Sequence, residues 1–209
     1  ALESITRNVK RMEIISWERI RDEIIKTLKT DTPSIAFYLM KDTGLLSHVF
    51  PELDVMSGVE VISGKGHKDV FIHTLQVVDN AAKLTPNMEV RFAALVHDIA
   101  KPDTKQFEKE KGWTFHGHDE IGRRMLKKVA HRMKLSNSLR DYLMLLTKLH
   151  LRPIALAMEG ITDSAVRRVM AEAGEHIDEL MTLCRADITT KNPKKVKKYM
   201  GNFERVEHL

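Results

Sequence analysis

Apolar residues recur at helical spacing along almost the whole chain. Residues 2–15 place Ile5, Val9, Met12 and Ile15 on one stripe. Ser16 is positioned to cap a second helix, with Trp17, Ile20, Ile24, Ile25 and Leu28 on its apolar face. Pro33 suits the first turn of a third helix. Its predicted face is Phe37, Leu39 and Met40, and Gly44 is its left-handed stop. The short apolar turn LLSHVFPEL follows, so residues 1–56 read as a small helical module.

Residues 56–68 carry Gly58, Gly64 and Gly66 without helical period and read as a loop or boundary. Further helices are predicted at 69–84, 88–100, 118–133, 137–151, 163–173, 175–190 and 193–205, with Pro86 and Pro102 stopping the first two. Residues 104–116 break the pattern and read as two short strands around a Lys111-Gly112 turn. The expected class is all-α with one small β-hairpin, in two units, 1–56 and 57–209.

Composition narrows the setting. A chain of 209 residues buries a sizeable core without covalent staples. The single cysteine, Cys184, cannot form an internal disulfide, which points to the reducing cytoplasm. No apolar run approaches the roughly 20 residues of a membrane helix. The net charge of +5 is uneven: residues 1–60 carry 8 basic and 10 acidic side chains, whereas 191–209 carry 6 and 2. Lys194, Lys195, Lys197 and Lys198 therefore form a candidate contact for a phosphate backbone, or else a solvated helix face.

The chemistry-bearing residues sit inside apolar segments. His97 and Asp98 end the otherwise core-like run RFAALVHDIAKP. A buried carboxylate needs a cation or several donors. Alone, the pair could be a hydrogen bond at a helix end. His73 in DVFIHTLQVV and Asp187 in MTLCRADITT repeat the anomaly on separate helices. Inward-facing ligand-type side chains from several helices are how a bundle builds a metal centre. Imidazole and carboxylate together suit Mn, Ni, Co, Fe or Zn, with Mg less favoured as histidines accumulate.

The ordered set His73, His97-Asp98, Asp187 resembles the signature of the HD superfamily of metal-dependent phosphohydrolases. The flanks FIHTLQVVD, ALVHDIAKP, FHGHDEIG, LHLRP and RAD resemble the HD domain of bacterial CCA-adding tRNA nucleotidyltransferases of the poly(A) polymerase family. ALESITRNVKRMEIISWERIRDEIIKTL and PSIAFYLMKDTGLLSHVFPEL are similar to the helical neck and body that precede it. The Gly-Ser and paired-Asp motif of the nucleotidyltransferase head does not occur. The resemblance thus implies the C-terminal part of a longer enzyme that does not add nucleotides by itself.

It further implies that His73, His97, Asp98 and Asp187 hold one divalent cation, with Asp98 bridging to a second held by His118 and His150. Asp98 and Lys101 are the expected catalytic pair, Asp98 orienting water and Lys101 holding phosphoryl oxygens. A helix-end lysine also satisfies the helix dipole without further purpose. Arg123 and Arg152 are similar phosphate-binding candidates. His116 is expected to line the pocket, Cys184 to fill core, and His48, His67, His131, His176 and His208 to lie outside the site. The implied substrates are nucleotides, 2′,3′-cyclic phosphates or other phosphoesters, and the implied macromolecular partner is tRNA.

Overall fold

The central helix, Met88–Val96, is buried from Val90 through Val96, including Arg91. A helix apolar on every side has to be surrounded by others. In the computed structural model, which describes residues 2–158, 162–190 and 192–207, the elements run α1 (Leu2–Asn8), α2 (Trp17–Leu28), α3 (Ser34–Asp42), α4 (Leu46–Val49), α5 (Pro51–Asp54), β1 (Val61–Ile62), β2 (Lys65–Gly66), α6 (Val70–Leu84), α7 (Met88–Val96), α8 (Lys101–Thr104), β3 (Gln106–Glu108), β4 (Gly112–Thr114), α9 (His118–Arg132), α10 (Asn137–Leu149), α11 (Leu151–Met158), α12 (Asp163–Ala173), α13 (Ile177–Ala186) and α14 (Pro193–Glu207). α2, α6, α10 and α13 pack on α7, α9 packs on α10, and α11 packs on α14. No described helix is long and apolar enough to cross a membrane.

Side-chain caps set the starts of the helices around the core. Asp69 accepts from the Ile72 N–H at 2.9 Å, Asn87 from Glu89 at 2.9 Å and Ser136 from Leu139 at 3.2 Å. Each supplies an acceptor that the first turn of a helix lacks.

Arg91 joins the first 56 residues to the rest. Its buried guanidinium donates to the carbonyls of Leu28 (2.9 Å), Thr30 (3.0 Å), Ala82 (3.0 Å) and Thr85 (2.9 Å). These carbonyls sit at the C-terminal ends of α2 and α6, where helical partners run out. Arg132 also makes a two-pronged pair with Glu52 at 2.6 and 2.5 Å, and Ser34 donates to Asp79 through its backbone N–H (3.0 Å) and its hydroxyl (2.6 Å). Apolar residues of both segments belong to one continuous core.

Several expectations change. There are two hairpins among the described residues, because Val61–Ile62 also pairs with Lys65–Gly66. The turn residues Ser63 (φ 51°) and Gly64 (φ 73°) are both left-handed, which suits a two-residue hairpin. The second hairpin pairs Gln106 with Thr114 and Phe107 with Trp113. Its partner leans on it, since the Trp113 indole N–H donates to the Lys65 carbonyl at 3.0 Å. Residues 2–15 are not one helix: α1 ends at Asn8 and a 3₁₀ stretch covers Val9–Ile14. Leu39 points outward, and Ser34 joins Phe37 on the buried face of α3. The predicted helix at 88–100 ends at Val96, and α11 continues the chain where a loop was expected.

Candidate metal centre

Six ligand-type residues sit at or beside helix ends. His73 lies in the first turn of α6, and His118 opens α9 after the left-handed Gly117 (φ 78°). His97, His150 and Asp187 follow the last residues of α7, α10 and α13, and Asp98 comes directly after His97. Packing of these helices around α7 brings the ends to one place.

Asp98 is central. Its Oδ2 lies 3.2 Å from His97 Nε2, 3.5 Å from His73 Nε2 and 2.6 Å from Lys101 Nζ. Its Oδ1 lies 3.3 Å from His118 Nε2 and 3.7 Å from His150 Nε2. Asp187 Oδ1 lies 3.0 Å from His73 Nε2 and 3.6 Å from His97 Nε2. The donors fall into two triads, His73–His97–Asp187 and Asp98–His118–His150, each with its ligand atoms within 4.8 Å of one another.

The far side of each ring is also held. His97 Nδ1 lies 2.8 Å from the Ala94 carbonyl, His118 Nδ1 2.6 Å from Phe115 and His150 Nδ1 2.6 Å from Thr147. A carbonyl only accepts, so Nδ1 carries the proton and the neutral ring turns its Nε2 lone pair to the centre. His73 Nδ1 instead faces the Thr189 hydroxyl at 3.1 Å.

The residues fit a divalent cation. Among the described residues, His97 Nε2, His118 Nε2, His150 Nε2 and Asp98 Oδ1 are buried without a hydrogen-bond partner. Burying such atoms unsatisfied costs about 1–3 kcal/mol each, so the arrangement needs a ligand for them. Two donors at about 2.1 Å from one ion are separated by about 3.0–3.4 Å, close to the spacings found within the centre.

Electrostatics point the same way. Burial opposes protonation of His97, but Asp98 and Asp187 outweigh it and raise the group to about 10. Burial would raise Asp98, yet the His97 and Lys101 charges hold it well below the usual carboxylate range. Asp187 is likewise lowered, against burial, by hydrogen bonding with His73 and His97. Burial, then the neighbouring His97 charge, pushes His150 down to about 4. Without a metal, protons and Lys101 supply the positive charge that the carboxylates demand.

A cleft of about 350 Å³ opens onto the His73–Asp187 side, where those side chains are 14% and 15% exposed. Lys68, Lys101, Thr189 and Thr190 provide polar lining, and Phe115, Ile154, Tyr199 and Phe203 apolar lining. The Lys101 ammonium sits 5.7 Å from the centre of the Phe115 ring.

Other sequence candidates fall elsewhere. His116 is exposed, with Nε2 3.5 Å from Glu108, so the pocket-lining member of FHGH is Phe115. Strand alternation fails to place His116 because β4 ends at Thr114 and the chain turns before α9. Arg123 pairs with Glu120, Arg152 pairs with Glu172, and neither lines this cleft. His67 organises the loop, accepting from the Glu60 N–H at 3.3 Å and meeting the Trp113 and Phe115 rings edge-on. His131 is exposed, His48 is partly buried, and His176 packs edge-on against Tyr142. Buried Cys184 donates to the His150 carbonyl at 3.2 Å, and burial pushes its thiol up. Lys194 and Lys197 are exposed on α14, whereas the side chains of Lys195 and Lys198, and all of His208, lie outside the described residues. Sequence reasoning missed Thr189, Lys68, Tyr199 and Phe203. Thr189 carries only the weak signal of standing two positions after Asp187.

A helical bundle whose helix ends gather four histidines and two aspartates defines a class of metal-centre proteins. Residues 70–192 match the HD domain family model, and the chain belongs to that family. Residues 1–56 match the family model described as "Probable RNA and SrmB- binding site of polymerase A". The two matches, in this order, correspond to the C-terminal part of a CCA-adding or poly(A) polymerase family protein with an HD domain.

Proposed function

We propose that the chain carries a metal-dependent phosphohydrolase centre within a tRNA nucleotidyltransferase-type protein. One observation carries the reading: Asp98 lies between two histidine groups whose buried Nε2 atoms converge on it. On this reading His73, His97, Asp98 and Asp187 hold one cation, and Asp98, His118 and His150 a second. Four imidazoles favour Mn, Ni, Co, Fe or Zn over Mg. When bound, a divalent cation supplies charge that lowers the pKa of adjacent water and polarises a phosphoryl oxygen.

The remaining tasks belong to the protein. Asp98 accepts a proton at its carboxylate or orients a water through it. Lys101 balances charge building on the non-bridging oxygens. Phe115, Tyr199 and Phe203 exclude water around the leaving group. The substrate class is a phosphoester: a nucleotide, a 2′,3′-cyclic phosphate or a simpler monoester. We assign RNA contact to residues 1–56 and to Lys194, Lys195, Lys197 and Lys198, with tRNA as the partner. We take 57–209 as the HD domain and the cytoplasm as the compartment. Nucleotide addition is not assigned to this chain, which lacks the Gly-Ser and paired-Asp motif.

The test is metal content by elemental analysis together with phosphate release from a panel of phosphoesters. Asp98→Asn should lose activity and at least about 100-fold in metal affinity, whereas exposed His131→Ala should lose neither. Bound metal without phosphate release from any ester would instead make this a structural metal in an RNA-binding module.

A further inference from the structure

Thr189 is the exception in the second layer of the centre. Three of the four rings rest Nδ1 on a backbone carbonyl three residues earlier, at Ala94, Phe115 and Thr147. Those contacts fix one tautomer, because a carbonyl cannot donate. His73 rests Nδ1 on the Thr189 hydroxyl, from a position 116 residues away. A hydroxyl can donate or accept.

The other nitrogen of His73 faces Asp187 Oδ1 at 3.0 Å. A carboxylate held ionised by its neighbours accepts only, so in the metal-free protein a neutral His73 ring carries its proton on Nε2. Nδ1 is then an acceptor, and Thr189 donates to it. A metal ligand at Nε2 requires the opposite arrangement, with the proton on Nδ1 and Thr189 accepting. The ring has one proton in both states. It leaves Nε2 to solvent and a proton from solvent arrives at Nδ1, so its charge does not change.

We infer that Thr189 is a positioning residue whose hydroxyl reverses its hydrogen bond to let His73 exchange tautomers as metal enters. The inference rests on the metal-centre reading above. His73 and Thr189 both line the open cleft, so the exchange occurs at the exposed edge of the centre, while the buried rings remain in one form.

The experiment uses the full chain, stripped of metal and then titrated with Zn²⁺. Nitrogen-15 NMR of the histidine rings reports which nitrogen of His73 is protonated, and calorimetry reports affinity. The expected result is Nε2–H before Zn²⁺ and Nδ1–H after it. Thr189→Val keeps the shape but removes the hydroxyl and should weaken Zn²⁺ binding by about 10–100-fold. Thr189→Ser should restore it. Wild-type His73 with Nδ1–H in both states, or Thr189→Val binding Zn²⁺ as tightly as wild type, overturns the inference and leaves the centre standing. A wild-type protein that takes up no Zn²⁺, Mn²⁺, Co²⁺ or Ni²⁺ overturns both.

Discussion

The Lys101 ammonium lies 2.6 Å from Asp98 Oδ2, the oxygen that also faces His73 and His97. It therefore stands where a cation would draw on the same carboxylate. Lys101→Met should tighten divalent metal binding by about tenfold, equivalent to about 1.4 kcal/mol. Phosphate release should fall in the same variant because charge on the phosphoryl oxygens loses its partner. Calorimetry and single-turnover assays would separate these opposing effects.

Metal uptake should depend on pH through His97. In the metal-free protein Asp98 and Asp187 raise this group to about 10, above its ordinary 6.5. Its contribution to stability is fully present below pH 6.5 and is lost as pH rises to about 10. A cation must displace that proton, so apparent metal affinity should rise about tenfold per pH unit through this window. His150, at about 4, is already neutral there and releases no proton. Calorimetric titrations in buffers of different ionisation enthalpy would count the protons released, with one expected from His97.

Arg91 should dominate stability where the first 56 residues meet the central helix. Arg91→Ala leaves the carbonyls of Leu28, Thr30, Ala82 and Thr85 without their donor. The expected loss is about 3 kcal/mol. That corresponds to a melting temperature lower by about 6–12 °C. Arg91→Lys should recover only part of it, because one ammonium cannot span four acceptors.

Gly122 sets the spacing of the helices that hold His118 and His150. A Cβ there would meet Thr147 Cγ2 at 3.0 Å and Ile99 Cγ2 at 3.4 Å. Thr147 also provides the carbonyl that holds the His150 ring. Gly122→Ala should cost about 1–3 kcal/mol by overpacking. It should also lower metal stoichiometry from two per chain toward one, read by elemental analysis, because the Asp98–His118–His150 triad is the one disturbed.

Legibility in the sequence followed the strength of the local signal. The α2 stripe was readable because Ile20, Ile24 and Leu28 repeat at helical spacing and all face the core. Ile5 and Ile14 obeyed a similar period, yet both are exposed and their segment divides into α1 and a 3₁₀ stretch. Strands of two residues, such as Val61–Ile62, are too short to display alternation. Pro153 suggested a stop, but it lies in the first turn of α11, where its missing N–H does little harm. His73, His97, Asp98 and Asp187 stood out because ligand-type side chains among apolar neighbours carry an energetic cost. Thr189 gave no such contrast, since an uncharged hydroxyl near a helix end is ordinary, and its contact with His73 exists only in three dimensions.

The four acceptors of Arg91 have an evolutionary consequence. Two come from the first 56 residues and two from the region just past them, while the arginine belongs to the helix that ends at His97. Swapping either segment for one from a distant relative would have to preserve the register of both helix ends around one guanidinium. Recombination would therefore favour breakpoints outside this pair, and the polymerase A segment would be inherited together with its metal centre as one cassette.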